Sequence, residues 1–96
     1  MTKAQIVAEI SDKTGIEKVT VLATVEACMD TIRNNMENGK NVYLRGFGSF
    51  IVKKRAEKTA RNISKNTQMI IPAHNIPAFR PADSFLKRVA KKVKVK

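Results

Sequence analysis

The stretch that most constrains this chain is residues 53–67, where Lys53, Lys54, Arg55, Lys58, Arg61 and Lys65 stand against a single acid, Glu57. Strand-like runs flank it, Ser-Phe-Ile-Val at 49–52 and Gln-Met-Ile-Ile at 68–71. A hairpin of this composition has too few apolar side chains to bury itself, and an isolated hairpin is marginal in water. The pattern therefore predicts a projecting β-arm over about 53–75, borne by the rest of the chain and suited to touch something negative.

Charge is divided the same way. The first 46 residues carry six Lys or Arg and six Asp or Glu; the remaining fifty carry thirteen basic residues and two acids, Glu57 and Asp83. The whole formal excess of +11 thus lies in the second half. A polyanion-binding surface attached to a neutral scaffold has this distribution, whereas a solvated basic face that merely aids solubility is the plainer alternative. The chain is 96 residues long and is expected to form one domain, 1–96. With the arm set aside, the remaining body is small enough to be marginal as a monomer. Cys28 is the only cysteine, so no disulfide within the chain can compensate, and self-association is expected. No apolar run approaches the length of a membrane span and no signal-peptide core is visible, which predicts a soluble protein of a reducing compartment without a membrane partner.

Taken in order, Thr2 and Gln5 have capping-box spacing, and Ile6, Val7 and Ile10 follow at helical intervals. They predict a first helix from about Lys3 to Lys13, ended by Gly15. Leu22, Val25, Met29, Ile32 and Met36 then recur three or four apart and predict a second helix of roughly twenty residues, closed by Asn38-Gly39. Val21 and Cys28 widen that apolar stripe beyond what one short neighbouring helix needs, a further pointer to a dimer. Cys28 itself is either a redox thiol or a small buried hydrophobe. Lacking a basic neighbour to favour the thiolate, it is taken as the hydrophobe.

Residues 41–45 alternate, with Val42 and Leu44 on one face and Tyr43 on the other. Gly46-Phe47-Gly48-Ser49-Phe50 follows, and a turn or bulge at Gly48 would let both rings enter the core. This G-x-G does not suggest a nucleotide loop, because no further glycine opens a helix behind it. The sheet is expected over 41–52 and 68–79, with Pro72 and Pro77 keeping the later segment off a central position. His74, the only histidine, has no ligand cluster around it; no metal or other cofactor is expected, and His74 is placed at the arm base or surface. Pro81 and Asp83 suit the opening of a third helix over about 81–96, with Phe85, Leu86, Val89 and Val93 as its apolar positions.

This order of elements, with Gly46-Phe47-Gly48-Ser49-Phe50, Arg55-Ala56-Glu57-Lys58, Arg61-Asn62 and Ile76-Pro77-Ala78-Phe79-Arg80-Pro81, resembles the bacterial HU and integration host factor family over essentially the whole chain. The resemblance implies an α+β, HU-like fold. It has an N-terminal helix hairpin (1–40), a three-stranded antiparallel sheet with a long β-arm, and a C-terminal helix. It also implies an intertwined dimer with Leu22, Val25, Met29, Ile32, Phe47, Phe50 and Phe79 in its shared core. The partner would be double-stranded DNA, bound with little sequence specificity through the minor groove, bent and compacted in the nucleoid of the bacterial cytoplasm. DNA-binding positions carried over from the family are Lys3, Lys53, Arg55, Lys58, Arg61, Asn62, Ile63, Lys65 and Arg80. Ile63 occupies the place of the proline that wedges between base pairs, and isoleucine is among the side chains able to part a base step. Asn66 replaces the tip glycine, and Asp83 and Leu86 stand where many members have lysine. Two other readings are a site-specific, integration-host-factor-like subunit and an RNA-binding protein. An enzyme is not expected, since no nucleophile–base pair, carboxylate constellation or phosphate loop is present.

Overall fold

The computed structural model describes residues 1–62 and 67–95, with 60–62, 67 and 68 described by their backbone alone. Helix α1 (Lys3–Thr14) opens on the expected capping box. Gln5 N–H donates to Thr2 Oγ1 at 3.3 Å while Thr2 N–H donates to Gln5 Oε1 at 2.8 Å. Gly15 ends it with φ +75, and Ser11 Oγ donates to the Ile16 carbonyl at 2.6 Å, drawing the link tight before the next helix. Helix α2 (Lys18–Glu37) stops where Gly39 takes φ +78 and donates back to the Met36 carbonyl at 2.9 Å.

Strand β1 (Val42–Leu44) pairs antiparallel with β2 (Gly48–Arg55), and β2 pairs antiparallel with β5 (His74–Pro81), in the order β1-β2-β5. This is the three-stranded antiparallel sheet the resemblance implies. Strands β3 (Lys58–Asn62) and β4 (Thr67–Ile71) form a separate two-stranded sheet, the arm. Helix α3 (Asp83–Lys92) follows.

Several boundaries differ from the sequence expectation. The run at 68–71 belongs to the arm sheet, not to the three-stranded one. The body ladder meanwhile continues past Val52 to Arg55↔His74, so Lys53 and Arg55 are sheet residues. The two ladders are separated by Ala56-Glu57 on one side and Pro72-Ala73 on the other, where proline has no N–H to give. Pro81 pairs with Gly48 in the sheet instead of opening the helix, and α3 ends at Lys92, with Val93 already extended.

The glycine-phenylalanine segment also resolves differently. The turn is at Gly46, whose φ of +80 accompanies the Phe47 N–H bond to the Leu44 carbonyl at 3.0 Å. Gly48 is instead a buried ladder residue. A Cβ there would lie 2.6 Å from the Arg80 carbonyl oxygen and 2.6 Å from the Phe79 ring. That close approach, not a bulge, brings the aromatic rings together: Phe47–Phe79 at 5.3 Å, Phe50–Phe79 at 5.0 Å and Phe47–Phe85 at 5.4 Å between centroids. Both Phe47 and Phe50 do join one cluster, as expected. The Phe47 carbonyl also accepts from Ala82 N–H at 2.9 Å and so fixes the start of α3 to the turn.

Very little of this chain is buried when it stands alone. Among the described residues only Val7 on α1 and Val21 on α2 are buried apolar side chains. Leu22, Met29, Phe47 and Phe79 remain exposed at 38–47%, and Val25, Ile32 and Phe50 are half-buried. Cys28 is exposed too in the single chain, where burial was expected. No helix is long and apolar enough to cross a membrane among the described residues.

Candidate nucleic-acid interface

Side chains alternate across a strand, so the β2–β5 register sorts the sheet into two faces. Phe50, Val52, Phe79 and Pro77 share the inner face with the aromatic cluster. Ser49, Ile51, Lys53 and Arg55 of β2, with Arg80, Ala78, Ile76 and His74 of β5, share the outer face. The apolar members of this outer face are small or half-buried, and its long side chains are cationic. Lys53 and Arg55 are successive outer positions, roughly 7 Å apart, and Arg80 stands opposite Ser49, about 14 Å farther down the ladder from Lys53. All three are exposed.

The arm extends the same charge upward. Lys58, exposed, opens β3 opposite Ile71; Arg61 lies opposite Gln68 and Asn62 opposite Thr67 near the tip. Ile63 and Lys65, the expected wedge and the last arm cation, lie outside the described residues, as does Asn66. His74 sits opposite Arg55 at the arm base, exposed as expected. Its Nδ1 is 2.9 Å from the Pro72 carbonyl, and because a carbonyl only accepts, Nδ1 is the donating nitrogen.

What distinguishes this surface is that its cations are unspent. The three salt bridges among the described residues all lie in the helical base: Lys3–Glu26 at 3.1 Å, Lys13–Glu9 at 3.9 Å and Arg33–Asp30 at 2.6 Å. None involves Lys53, Arg55, Lys58 or Arg80. Lys3 is therefore the exception among the sequence-derived site residues, since its ammonium is already held by Glu26. Both groups are half-exposed, and a pair of that kind is worth little and exchanges readily.

Two residues outside the sequence-derived set also reach this face. Register places Tyr43, Ser49 and Arg80 in one row across the three strands. Tyr43, Arg45, Ser49 and Arg80 line an open groove of about 300 Å³ at the end of the sheet far from the arm, with Asp83 as its acid. Tyr43 was legible, as the residue opposed to Val42 and Leu44. Arg45 was not, because it sits in the turn, where alternation stops. No cluster of three or more His, Cys, Asp or Glu able to hold a metal occurs among the described residues.

Comparison with known proteins agrees with this arrangement. A family model described as "Bacterial DNA-binding protein" matches residues 1–90. The DNA-binding protein HRm of Rhizobium meliloti is 38% identical over 79 residues, 82% of this chain and 88% of that protein. The SPbeta prophage-derived DNA-binding protein HU 2 of Bacillus subtilis is 35% identical over 92 residues, 96% of this chain and all of that one. Among solved structures, the Anabaena HU–DNA cocrystal structure superposes with a TM-score of 0.89 at 34% identity, covering 94% of this chain and 98% of that one. Helix hairpin, three-stranded sheet, separate basic arm and terminal helix, together with these matches, place the chain in the HU-like family of bacterial DNA-binding proteins.

Proposed function

We propose that this protein is an architectural, non-enzymatic DNA-binding protein that bends and compacts duplex DNA in the bacterial nucleoid. The observation that carries this is the row of exposed cations Arg80, Lys53, Arg55 and Lys58, none of which joins a salt bridge among the described residues. Each phosphate neutralised releases condensed counterions, so affinity falls steeply with salt. Arg61 and Asn62 near the arm tip enter the minor groove, whose degenerate pattern separates little beyond A·T from G·C. Ile63 parts a base step, and Lys65 and Lys3 hold flanking phosphates. Sequence preference is weak and shape preference strong, because nicked, gapped or pre-bent duplexes cost less to deform.

The working unit is a dimer, most simply of two identical chains. The exposed Leu22 and Met29 of α2, with Phe47 and Phe79 of the aromatic cluster, form apolar surface that one copy leaves in water. Covering it with a second copy supplies the core that Val7 and Val21 alone do not provide. Val25, Ile32 and Phe50 complete the shared core.

The test is affinity at fixed salt for several unrelated duplexes, each intact and nicked, and for duplex RNA, with molecular mass in solution measured alongside. Similar affinities for unrelated intact duplexes, tighter binding to nicked ones and a mass of two chains are expected. A large preference for one site would instead indicate an integration-host-factor-like role, and preference for RNA would remove the DNA assignment. Replacing Ile63 with alanine should reduce bending in an energy-transfer assay more than it reduces affinity. An unchanged bend would remove Ile63 as the wedge.

A further inference from the structure

His74 is no permanent cation, yet the ladder sets it among the cations of the outer face. It pairs with Arg55 at the base of the arm, and its side chain is exposed. Strand β5 lies at the edge of the order β1-β2-β5, so β2 is the strand that flanks it in this sheet. From β2, Arg55 faces His74 directly and Lys53 stands one outer position farther along. Glu57, in the link beyond Arg55, and Lys58, the first residue of β3, are the other charges at the arm base. Lys54, opposite Asn75, belongs to the inner face. None of these groups joins a salt bridge among the described residues. Side chains directly opposite on one face of an antiparallel pair have Cβ atoms about 5 Å apart. A phosphate that reaches Arg55 from the outer side therefore comes within reach of His74 as well.

The hold on the ring decides which nitrogen can act. Nδ1 donates to the Pro72 carbonyl at 2.9 Å, in the link between the two ladders. That bond is the same in the neutral and the charged ring, since Nδ1 carries a proton in both. Nε2 is left to meet whatever approaches the exposed side chain. In the neutral ring Nε2 offers only a lone pair, which a phosphate oxygen repels; in the imidazolium it is an N–H donor. One proton thus turns Nε2 from an acceptor into a cationic donor without moving the ring. Histidine is the side chain that ordinarily makes this change between about pH 5 and about pH 8. With no anion present, an imidazolium here stands directly opposite Arg55, and like charges so placed repel. A phosphate between the two replaces that repulsion with charge-assisted hydrogen bonds to both.

We infer that His74 is a further DNA-contacting residue that acts only when protonated: its imidazolium and the Arg55 guanidinium together hold one backbone phosphate at the base of the arm. This rests on the DNA binding proposed above for the arm and outer face. The proton comes from solvent onto Nε2, so binding takes up a proton and affinity for duplex rises as pH falls through the histidine range. A purely structural clip, in which His74 only fixes the link through Pro72, uses Nδ1 alone and gives no such rise.

The experiment uses the full-length protein and one intact duplex, with affinity measured at fixed ionic strength from about pH 8 to about pH 5.5. His74 is the only histidine, so a step in this range that vanishes with it is its own. Wild-type affinity should rise about tenfold toward the lower pH, and the slope of log affinity against log salt should steepen by about one per chain. The variant H74Q cannot be charged and should keep the weaker, high-pH affinity throughout. The variant H74K is charged throughout and should keep the stronger affinity with a flat profile. Calorimetry near pH 7 in two buffers of different ionisation enthalpy should show proton uptake on binding by the wild type and none by H74Q. A flat wild-type profile, or a rise kept in full by H74Q, would overturn the inference while leaving DNA binding in place. Failure of the wild-type protein to bind the duplex at any pH would defeat the DNA-binding proposal and this contact with it.

Discussion

The two halves of this chain handle charge in opposite ways. Across the first 46 residues, six basic and six acidic residues balance, and Lys3, Lys13 and Arg33 each hold an acid within the same half. Across residues 47–96, thirteen cations face two acids, and no salt bridge forms among the described residues. The difference lies in purpose more than in stability, because exposed ion pairs contribute little to folding either way. Pairing leaves the base electrically quiet, whereas leaving charges unpaired on the other half sums them into a field that draws polyanions.

That contrast predicts that folding and binding respond to different residues. The largest folding effect should come from Gly48→Ala, whose new methyl meets the Arg80 carbonyl and the Phe79 ring at 2.6 Å. The ring can shift but the backbone carbonyl cannot easily do so, and a loss of about 1–3 kcal/mol is expected from overpacking. A urea titration would check this. An unshifted midpoint would mean that the strands separate at little cost there.

The complementary change is Arg55→Gln with Lys58→Gln. It should leave the urea midpoint within about 0.5 kcal/mol, as surface substitutions usually do. Duplex affinity at moderate salt should nevertheless fall about tenfold or more, and the slope of log affinity against log salt should drop by about two. An unchanged slope would show that these two cations do not neutralise phosphate, which would blur the division between the halves. A smaller effect on the quiet side is expected from Thr2→Ala. Losing the capping box of α1 should cost about 1 kcal/mol of stability and leave the salt slope as it was. A changed slope in that variant would mean that the capping box also sets the position of Lys3 on phosphate.

The sheet shows where sequence patterns stop informing. Apolar periodicity and capping residues marked α1 and α2 nearly to the residue, because local hydrogen bonds and one-sided burial leave a signature at helical spacing. The basic arm was equally visible, since a stretch that cannot bury itself shows this in its composition. The pairing of β2 was not. Alternation indicates that a run is a strand without naming its partner, and the nearer run at 68–71 looked as suitable as the true partner at 74–81. Lys53 and Arg55 consequently read as arm residues, although the ladder holds them in the body opposite Ile76 and His74.

By itself, then, the sequence determined the two-helix base, the placement of all the excess charge in the second half, and the existence of an arm. Each follows from local spacing or from simple counting. Only the tertiary structure decided that Gly48 is needed for close packing and Gly46 for the turn, and that Lys53, Arg55 and Arg80 share a face. It also decided that the cations of α3 lie on the other side of the sheet. Those outcomes depend on which distant strands meet and in what register, and a shift of one residue would have exchanged every face.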